Sequence, residues 1–463
     1  MNYKEFIENK KHTSIDYGFN PIWLPENCLF DFQRYIVEKA IKKGRIGIFA
    51  DTGLGKTRIS LAIANNIIKK TNKRVLILTP LAVAFQFIKE AELMGIDDIE
   101  YSKFGKFSKK IILCNYERLQ YFDEKDFECV ILDESSILKN FNGQIKNHIT
   151  SFIKKVSYRF LTTATPSPND YIELGTSSEA LGYLGYMDML TKFFKNNQNS
   201  IESKNRNIGE KWYLKPHAEK DFFEWVNSWS IMVKKPSDIG FSDEKYKLPN
   251  LITNTYFVKN QSKILPNGQT CLFVPQAKTM TEVRIEQKQT EEIRTKKAVE
   301  LAKGKTSVYW VNTNNESSLI KKLDNECVEI IGSQTIEKKE EILKAFANGE
   351  IKRLVTKATI TGMGLNWQHC NHCVFFPTWS YEQYYQAIRR FWRFGQKKDV
   401  TVDLVLSDGQ SRVIRALQEK TEKAQKLYEN LVKNVNFNFK INKKDENVEV
   451  KIPNFMKRGQ NEN

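Results

Sequence analysis

RIGIFADTGLGKTRISLAIANNIIKK, residues 45–70, divides into an apolar run, a glycine-rich turn and a helical pattern. RIGIFA has the length and composition of a short buried strand. Ala50-Asp51-Thr52-Gly53-Leu54-Gly55-Lys56-Thr57 is a phosphate-binding loop with Ala in place of its first Gly. The glycines Gly53 and Gly55, with Thr52 beside them, let backbone N–H groups wrap phosphates, and the next helix points its positive end at them. In such a loop Lys56 reaches the β and γ phosphates and Thr57 holds Mg²⁺. The strand before the loop and the helix after it are the context this motif requires. The expectation is a nucleotide site on an α/β sheet.

The same rhythm continues in both directions. VLILTP (75–80), KIILCNYERL (110–119), ECVILDESS (128–136) and YRFLTTATPSPND (158–170) each read as a strand ending in polar residues, with helical patterns between them. Alternation of this kind gives a parallel sheet wound with helices, whose chemistry sits at the carboxyl ends of the strands. HAEKDFFEWVNSWSIMVKK reads as a helix with an aromatic face, PSDIGFSDEKYKLPN as a linker, and TEVRIEQKQTEEIRTKKAVELAKG as a charged helix. SVYWVN, VEIIGS, RLVTKA, HCVFFP and VTVDLVLS resume the strands. The expected plan is a first lobe over 1–235, with an irregular polar insert at about 196–215. A linker and the start of the second lobe occupy 236–295, the second lobe 296–436, and a polar tail 437–463.

Asp133 and Glu134 follow the apolar run VIL. An acid pair there suits a metal-binding Asp and a Glu that orients an attacking water; the alternative is an acid pair drawn to a helix N-terminus. Gln33, in FDFQ, is placed to read an adenine edge or to be an ordinary surface residue. QYYQAIRRFWRFGQ (383–396) reads as a helix ended by Gly395, with Gln383, Gln386, Arg390 and Arg393 on one face and Tyr384, Ala387, Ile388 and Phe391 on the core side. That polar face carries neither Lys nor Glu. It is either solvated or built for bidentate recognition of phosphate.

The 72 basic and 55 acidic residues among 463 leave a net charge of +17, which suits a polyanionic partner. No run reaches the length of a membrane span and the N-terminus has no apolar leader, so no membrane partner and a cytoplasmic location are expected. Seven scattered cysteines fit a reducing compartment. His369-Cys370-Asn371-His372-Cys373 has zinc-like spacing but no second pair nearby, and buried cysteines beside a strand are the simpler reading.

Taken in order, these stretches resemble the motifs of the superfamily 2 helicases and translocases, within them the Swi/Snf-like branch, and most of all its compact phage and prophage versions. The resemblance runs from Phe30 to Leu406. ADTGLGKT matches motif I, LILTPLAV motif Ia, NYERL motif Ib, DESS motif II, TATPSPND motif III, SVYWVNTN motif IV, TGMGLNWQ motif V and QAIRRFWRFGQ motif VI. It implies two RecA-like lobes with ATP and Mg²⁺ in the cleft between them. It also implies catalytic roles for Lys56, Asp133, Glu134, Arg390 and Arg393, with Arg393 as an arginine finger. Gln33, Gly364 and Gln386 would touch the nucleotide, and Thr57 and Asp133 the metal. Thr79, Thr163, Thr165, Thr361 and Asn366 would touch nucleic acid. Arg389 has no role in the pattern, and Trp392 and Phe394 read as packing. DESS departs from the family, where a His commonly fills the fourth place.

The implied partner is DNA, double-stranded by preference, with single strands or RNA possible. Three functions fit: a DNA-stimulated ATPase translocating on duplex DNA, a strand-separating helicase, and a nucleotide-switched scaffold.

Overall fold

The computed structural model describes residues 16–139, 143–167, 170–196, 212–260, 280–361 and 366–435. The expected insert falls largely outside these residues and the expected tail wholly so.

The strands in chain order are β1 (Arg45–Ala50), β2 (Arg74–Leu78), β3 (Ile99–Tyr101), β4 (Ile111–Cys114), β5 (Phe127–Asp133) and β6 (Tyr158–Thr163). A hairpin of β7 (Phe194–Asn196) and β8 (Trp212–Leu214) follows, then β9 (Ser230–Val233). All except the hairpin pair in parallel as one seven-stranded sheet, ordered β3-β4-β2-β5-β6-β1-β9. Alternate residues of each strand feed opposite faces. Phe49, Leu76, Leu78 and Ile112 enter one core, and Ile48, Val75, Ile77 and Ile111 the other. Both faces are covered, which explains why the strands read as continuous apolar runs.

The second sheet comprises β10 (Leu251–Val258), β11 (Ser307–Trp310), β12 (Cys327–Glu329), β13 (Arg353–Thr356), β14 (His372–Phe375) and β15 (Val400–Ser407). It is also parallel, ordered β10-β15-β14-β11-β13-β12. The molecule is therefore α/β with two RecA-like lobes.

Four elements differ from the sequence reading. The aromatic helix stops at Trp229, and SIMV becomes β9, paired with β1 from Gly47↔Ser230 to Ala50↔Val233. The charged helix is two helices, Met280–Gln289 and Glu291–Ala302, parted at Thr290. LITNTYFV, read as no element, is β10, in register with the whole of β15. Finally, the helix Ser411–Val435 leaves the second sheet and returns to the first. Leu431 joins the first lobe's core, and the Tyr428 hydroxyl donates to the carbonyls of Phe49 (2.9 Å) and Val233 (3.2 Å).

The histidine–cysteine cluster belongs to β14 and its approach. Cys370 and Cys373 are fully buried, and the Cys370 thiol donates to the carbonyl oxygens of Thr306 and His372. His372 lies 2.9 Å from an Asp403 carboxylate oxygen and 2.8 Å from the Ser307 hydroxyl. Among the described residues, no group of His, Cys, Asp and Glu is arranged to hold a metal through such residues alone.

Candidate active site

The loop after β1 turns through Gly53 (φ +91°) and Gly55 (φ +79°), a region that L side chains avoid. At Gly55 a Cβ would lie 2.2 Å from Gln33 Nε2; at Gly53 one would lie 3.0 Å from the Phe394 backbone nitrogen. The glycines thus admit neighbours from both lobes. Gln33 Nε2 donates to the Leu54 carbonyl (2.9 Å), while its Oε1 accepts from Phe30 N–H (3.0 Å). Its amide is fixed against the loop, at the rim of the cavity the loop bounds.

That cavity, of about 340 Å³, lies between the lobes. From the first lobe come Lys56, Thr57, Asp133 and Glu134; from the second come Asn366, Gln386, Arg390 and Arg393. A larger cavity of about 990 Å³ lies alongside and shares the Arg389 wall, but it contains none of Lys56, Asp133 or Glu134. The chemistry belongs to the smaller one.

Lys56 Nζ donates to the loop's own carbonyls, Ala50 (3.0 Å) and Asp51 (3.4 Å). Burial lowers its pKa, against the pull of Glu134 and Asp133. Asp133 ends β5. Its two oxygens accept from Thr79 Oγ1 (3.1 Å) and Thr162 Oγ1 (3.0 Å), and burial together with Glu134 pushes its pKa up to about 6. Glu134 has φ +53°, a left-handed backbone for a non-glycine residue. Its Oε2 accepts from Thr163 Oγ1 (3.3 Å), and the Tyr116 hydroxyl donates to the Asp133 carbonyl beside it. Motifs Ib and III therefore brace the acid pair.

Thr79, Thr163 and Thr165 were expected to face nucleic acid, yet all are buried. The first two hydroxyls go to the acid pair, and Thr163 Oγ1 accepts from Thr165 N–H. A hydroxyl at a strand's carboxyl end meets the adjacent strand's end before it meets the surface. Asn366 is exposed at the cavity rim. Thr361 ends the helix Ala358–Thr361, and Gly364 lies outside the described residues.

The motif VI helix is shorter than expected. It spans Tyr381–Ile388 and starts from a Ser380 side-chain cap, so Arg390 and Arg393 lie on the turns beyond it. The cause is tertiary. Trp392 Nε1 donates to the Pro249 carbonyl (2.8 Å), and Phe394 stacks on Tyr246 with centroids 4.5 Å apart. These contacts pull the chain off the helical path and turn both guanidiniums into the cleft. Burial and the neighbouring Arg393 bring Arg390 down to about 9; burial and Arg389 bring Arg393 down to about 10.

Arg389, unassigned in the motif pattern, ties the second lobe to the phosphate loop. Its guanidinium donates to the Asp51 carboxylate and, at 3.2 Å, to the Thr52 carbonyl. The Tyr385 hydroxyl donates to Asp51 Oδ1 (2.5 Å), as does Thr52 N–H (2.6 Å). Lys139, just after motif II, forms a second cross-lobe ion pair with Glu382. The only sequence cue was an acid inside a phosphate loop and an arginine to spare in motif VI.

Two family profiles fall in the order of this arrangement. The DEAD/DEAH box helicase profile matches residues 30–174, and the helicase conserved C-terminal domain profile matches 290–395. Among solved structures, the Sulfolobus solfataricus SWI2/SNF2 ATPase core in complex with dsDNA is similar over 93% of this chain and 98% of its own. Identity is 15% and the TM-score 0.38. No curated protein matches. The two profiles together span more than half of the chain and fall in order on two RecA-like lobes. The chain belongs to the superfamily 2 helicases and is a nucleic-acid-dependent ATP hydrolase.

Proposed function

We propose that this protein is a Swi/Snf-like ATPase that couples ATP hydrolysis to movement along duplex DNA. One observation carries the ATP reading: Arg390 and Arg393 of the second lobe line the same cavity as Lys56, Asp133 and Glu134 of the first. Burial and mutual repulsion make both positive charges costly, so an anion between them would be held favourably. A triphosphate has the charge and the oxygens to do so.

In this reading Lys56 exchanges its loop carbonyls for the β and γ phosphates. Glu134, held by Thr163, orients the water that attacks the γ phosphorus and accepts its proton as the bond to ADP breaks. Arg393 and Arg390 stabilise charge on the phosphoryl group in transit. Asp133, costly to ionise where it lies, and the Thr57 hydroxyl suit Mg²⁺, which would neutralise phosphate charge. Gln33 and Gln386 complete the nucleotide's surroundings. Loss of the γ phosphate removes what bridges the lobes, and the cleft relaxes.

The duplex preference rests on the GLGKT and QAIRRFWRFGQ spellings and on the net charge of +17. Backbone contact of this kind is salt-dependent and weakly sequence-selective. Short spacing between the motif blocks fits the phage and prophage versions of the branch, acting in a cytoplasm. The lobe boundaries near 235 and 296 belong to the same proposal.

The test is steady-state ATP turnover with no nucleic acid, duplex DNA, single-stranded DNA or RNA. Wild type is expected to respond most to duplex. Lys56→Ala abolishes turnover, and Arg393→Ala lowers it by at least tenfold while ATP still binds. A wild type that hydrolyses ATP indifferently to every nucleic acid would refute the translocase reading in favour of a scaffold.

A further inference from the structure

We propose that Phe104, Tyr121 and Arg118 form a platform on which an unpaired nucleic-acid base stacks, beside a place where the two lobes meet. The proposal rests on the nucleic-acid reading above and refines its substrate to duplex carrying a single-stranded arm.

The platform comes from two segments that leave the first sheet at its carboxyl edge. Ser102 follows β3, and its N–H donates to the Leu113 carbonyl of β4 (2.9 Å). The turn Tyr116–Tyr121 follows β4. Gly105 brings the segments together. It has φ +69°, and a Cβ there would lie 2.0 Å from the Tyr121 carbonyl oxygen, so only glycine fits. Phe104 is thereby set edge to face with Tyr121, at 5.6 Å and 74°. The Arg118 guanidinium lies 5.2 Å and 5.8 Å from the two ring centroids.

Both rings nonetheless face solvent, Phe104 at 59% and Tyr121 at 45% exposure. Two large rings held together by an arginine and left in water offer a surface that an aromatic or apolar group can cover. The surroundings favour a polyanion, since Arg118, Lys103 and Lys106 outnumber Glu117, the one acid on the Tyr116–Tyr121 turn. Lys106 is exposed beside the rings, and Lys103 is exposed with only a 3.6 Å surface pairing to Glu337 of the second lobe. That pairing also places the platform where the lobes meet. A base offers a π-face to the rings while its phosphate meets the cations. Paired bases within a duplex present no such face except at its two ends, so along a nucleic acid the partner is an unpaired nucleotide.

The experiment uses the full chain and fluorescence anisotropy with two probes: a blunt duplex, and the same duplex bearing a single-stranded oligothymidine arm. Wild type is expected to bind the armed probe about tenfold more tightly. Phe104→Ala/Tyr121→Ala brings the ratio near parity without lowering the thermal unfolding midpoint, and Phe104→Trp/Tyr121→Trp restores it. No arm preference in wild type, or a preference that survives the double alanine change, overturns the platform and leaves the rings as a protein-contact patch. Turnover stimulated by blunt duplex in that same wild type would spare the translocase reading. Absence of binding and stimulation with both probes would remove both.

Discussion

Arg389 is buried between the lobes, where an arginine alone would be costly. Burial lowers its pKa, and the Asp51 charge more than reverses that. The pair has further partners in the Tyr385 hydroxyl and the Thr52 carbonyl. Removing one member leaves the other charged and buried, the damaging way to break such a pair. Arg389→Ala is expected to cost about 3–5 kcal/mol in urea unfolding. Adding Asp51→Ala should recover at least about 1 kcal/mol of that in a double-mutant cycle. Equal and additive losses would mean that the contact is incidental. None of this was legible in the sequence, because the partners lie 338 residues apart. Lys56, Asp133 and Glu134 were legible because their spacing within short motifs carries the chemistry. Thr79 and Thr163 were legible as motif residues, while their bonds to Asp133 and Glu134 depend on tertiary packing that no short motif spells out.

At the level of elements, the apolar strands announced themselves and the half-wet ones did not. β10 lies at a sheet edge, and most of its residues stay partly or largely exposed, so LITNTYFV lacks the apolar run that marks its neighbours. The motif VI helix ended early for the converse reason, since Trp392 and Phe394 have tertiary partners that outweigh one more turn. The second sheet's other edge is pinned by Arg353 of β13. Its Nε and Nη2 donate to Asp324 at 2.5 and 2.9 Å, and the Tyr309 hydroxyl donates to the same carboxylate at 2.8 Å. Burial would raise Asp324, but the Arg353 bonds hold it below the usual carboxylate range. An acid held low stabilises the fold above its unfolded pKa of about 4 and loses that contribution as pH falls through the folded value. Arg353→Met should therefore cost about 3 kcal/mol at pH 7, and the gap from wild type should narrow below about pH 4. Urea titrations at both pH values measure it; a gap independent of pH would assign the loss to packing instead.

For the whole molecule, the returning helix Ser411–Val435 matters most. It buries Leu417 against Tyr381 of the second lobe and Leu431 in the core of the first. A chain ending at Gln410 loses these contacts and the Tyr428 bonds. Two or three large side chains at about 1.5–3 kcal/mol each put the loss near 5 kcal/mol. The shortened chain should unfold at lower urea, with the first lobe going before the second. A single transition at the wild-type midpoint would show the helix to be dispensable.

The chain thus crosses between the lobes twice, once between β9 and β10 and once where β15 leads into that helix, and the helix is tied to the β9 side of the first sheet. Two attachments on one side act like the pins of a door: they leave one easy rotation and resist sliding. The side away from these attachments is the β3 edge, six strand spacings off, or about 29 Å at roughly 4.8 Å each, where the exposed Lys103–Glu337 pair is a contact that must give. On a lever of that length, a swing of about 7° moves the far edge by about 3.4 Å, the rise of one base along a strand.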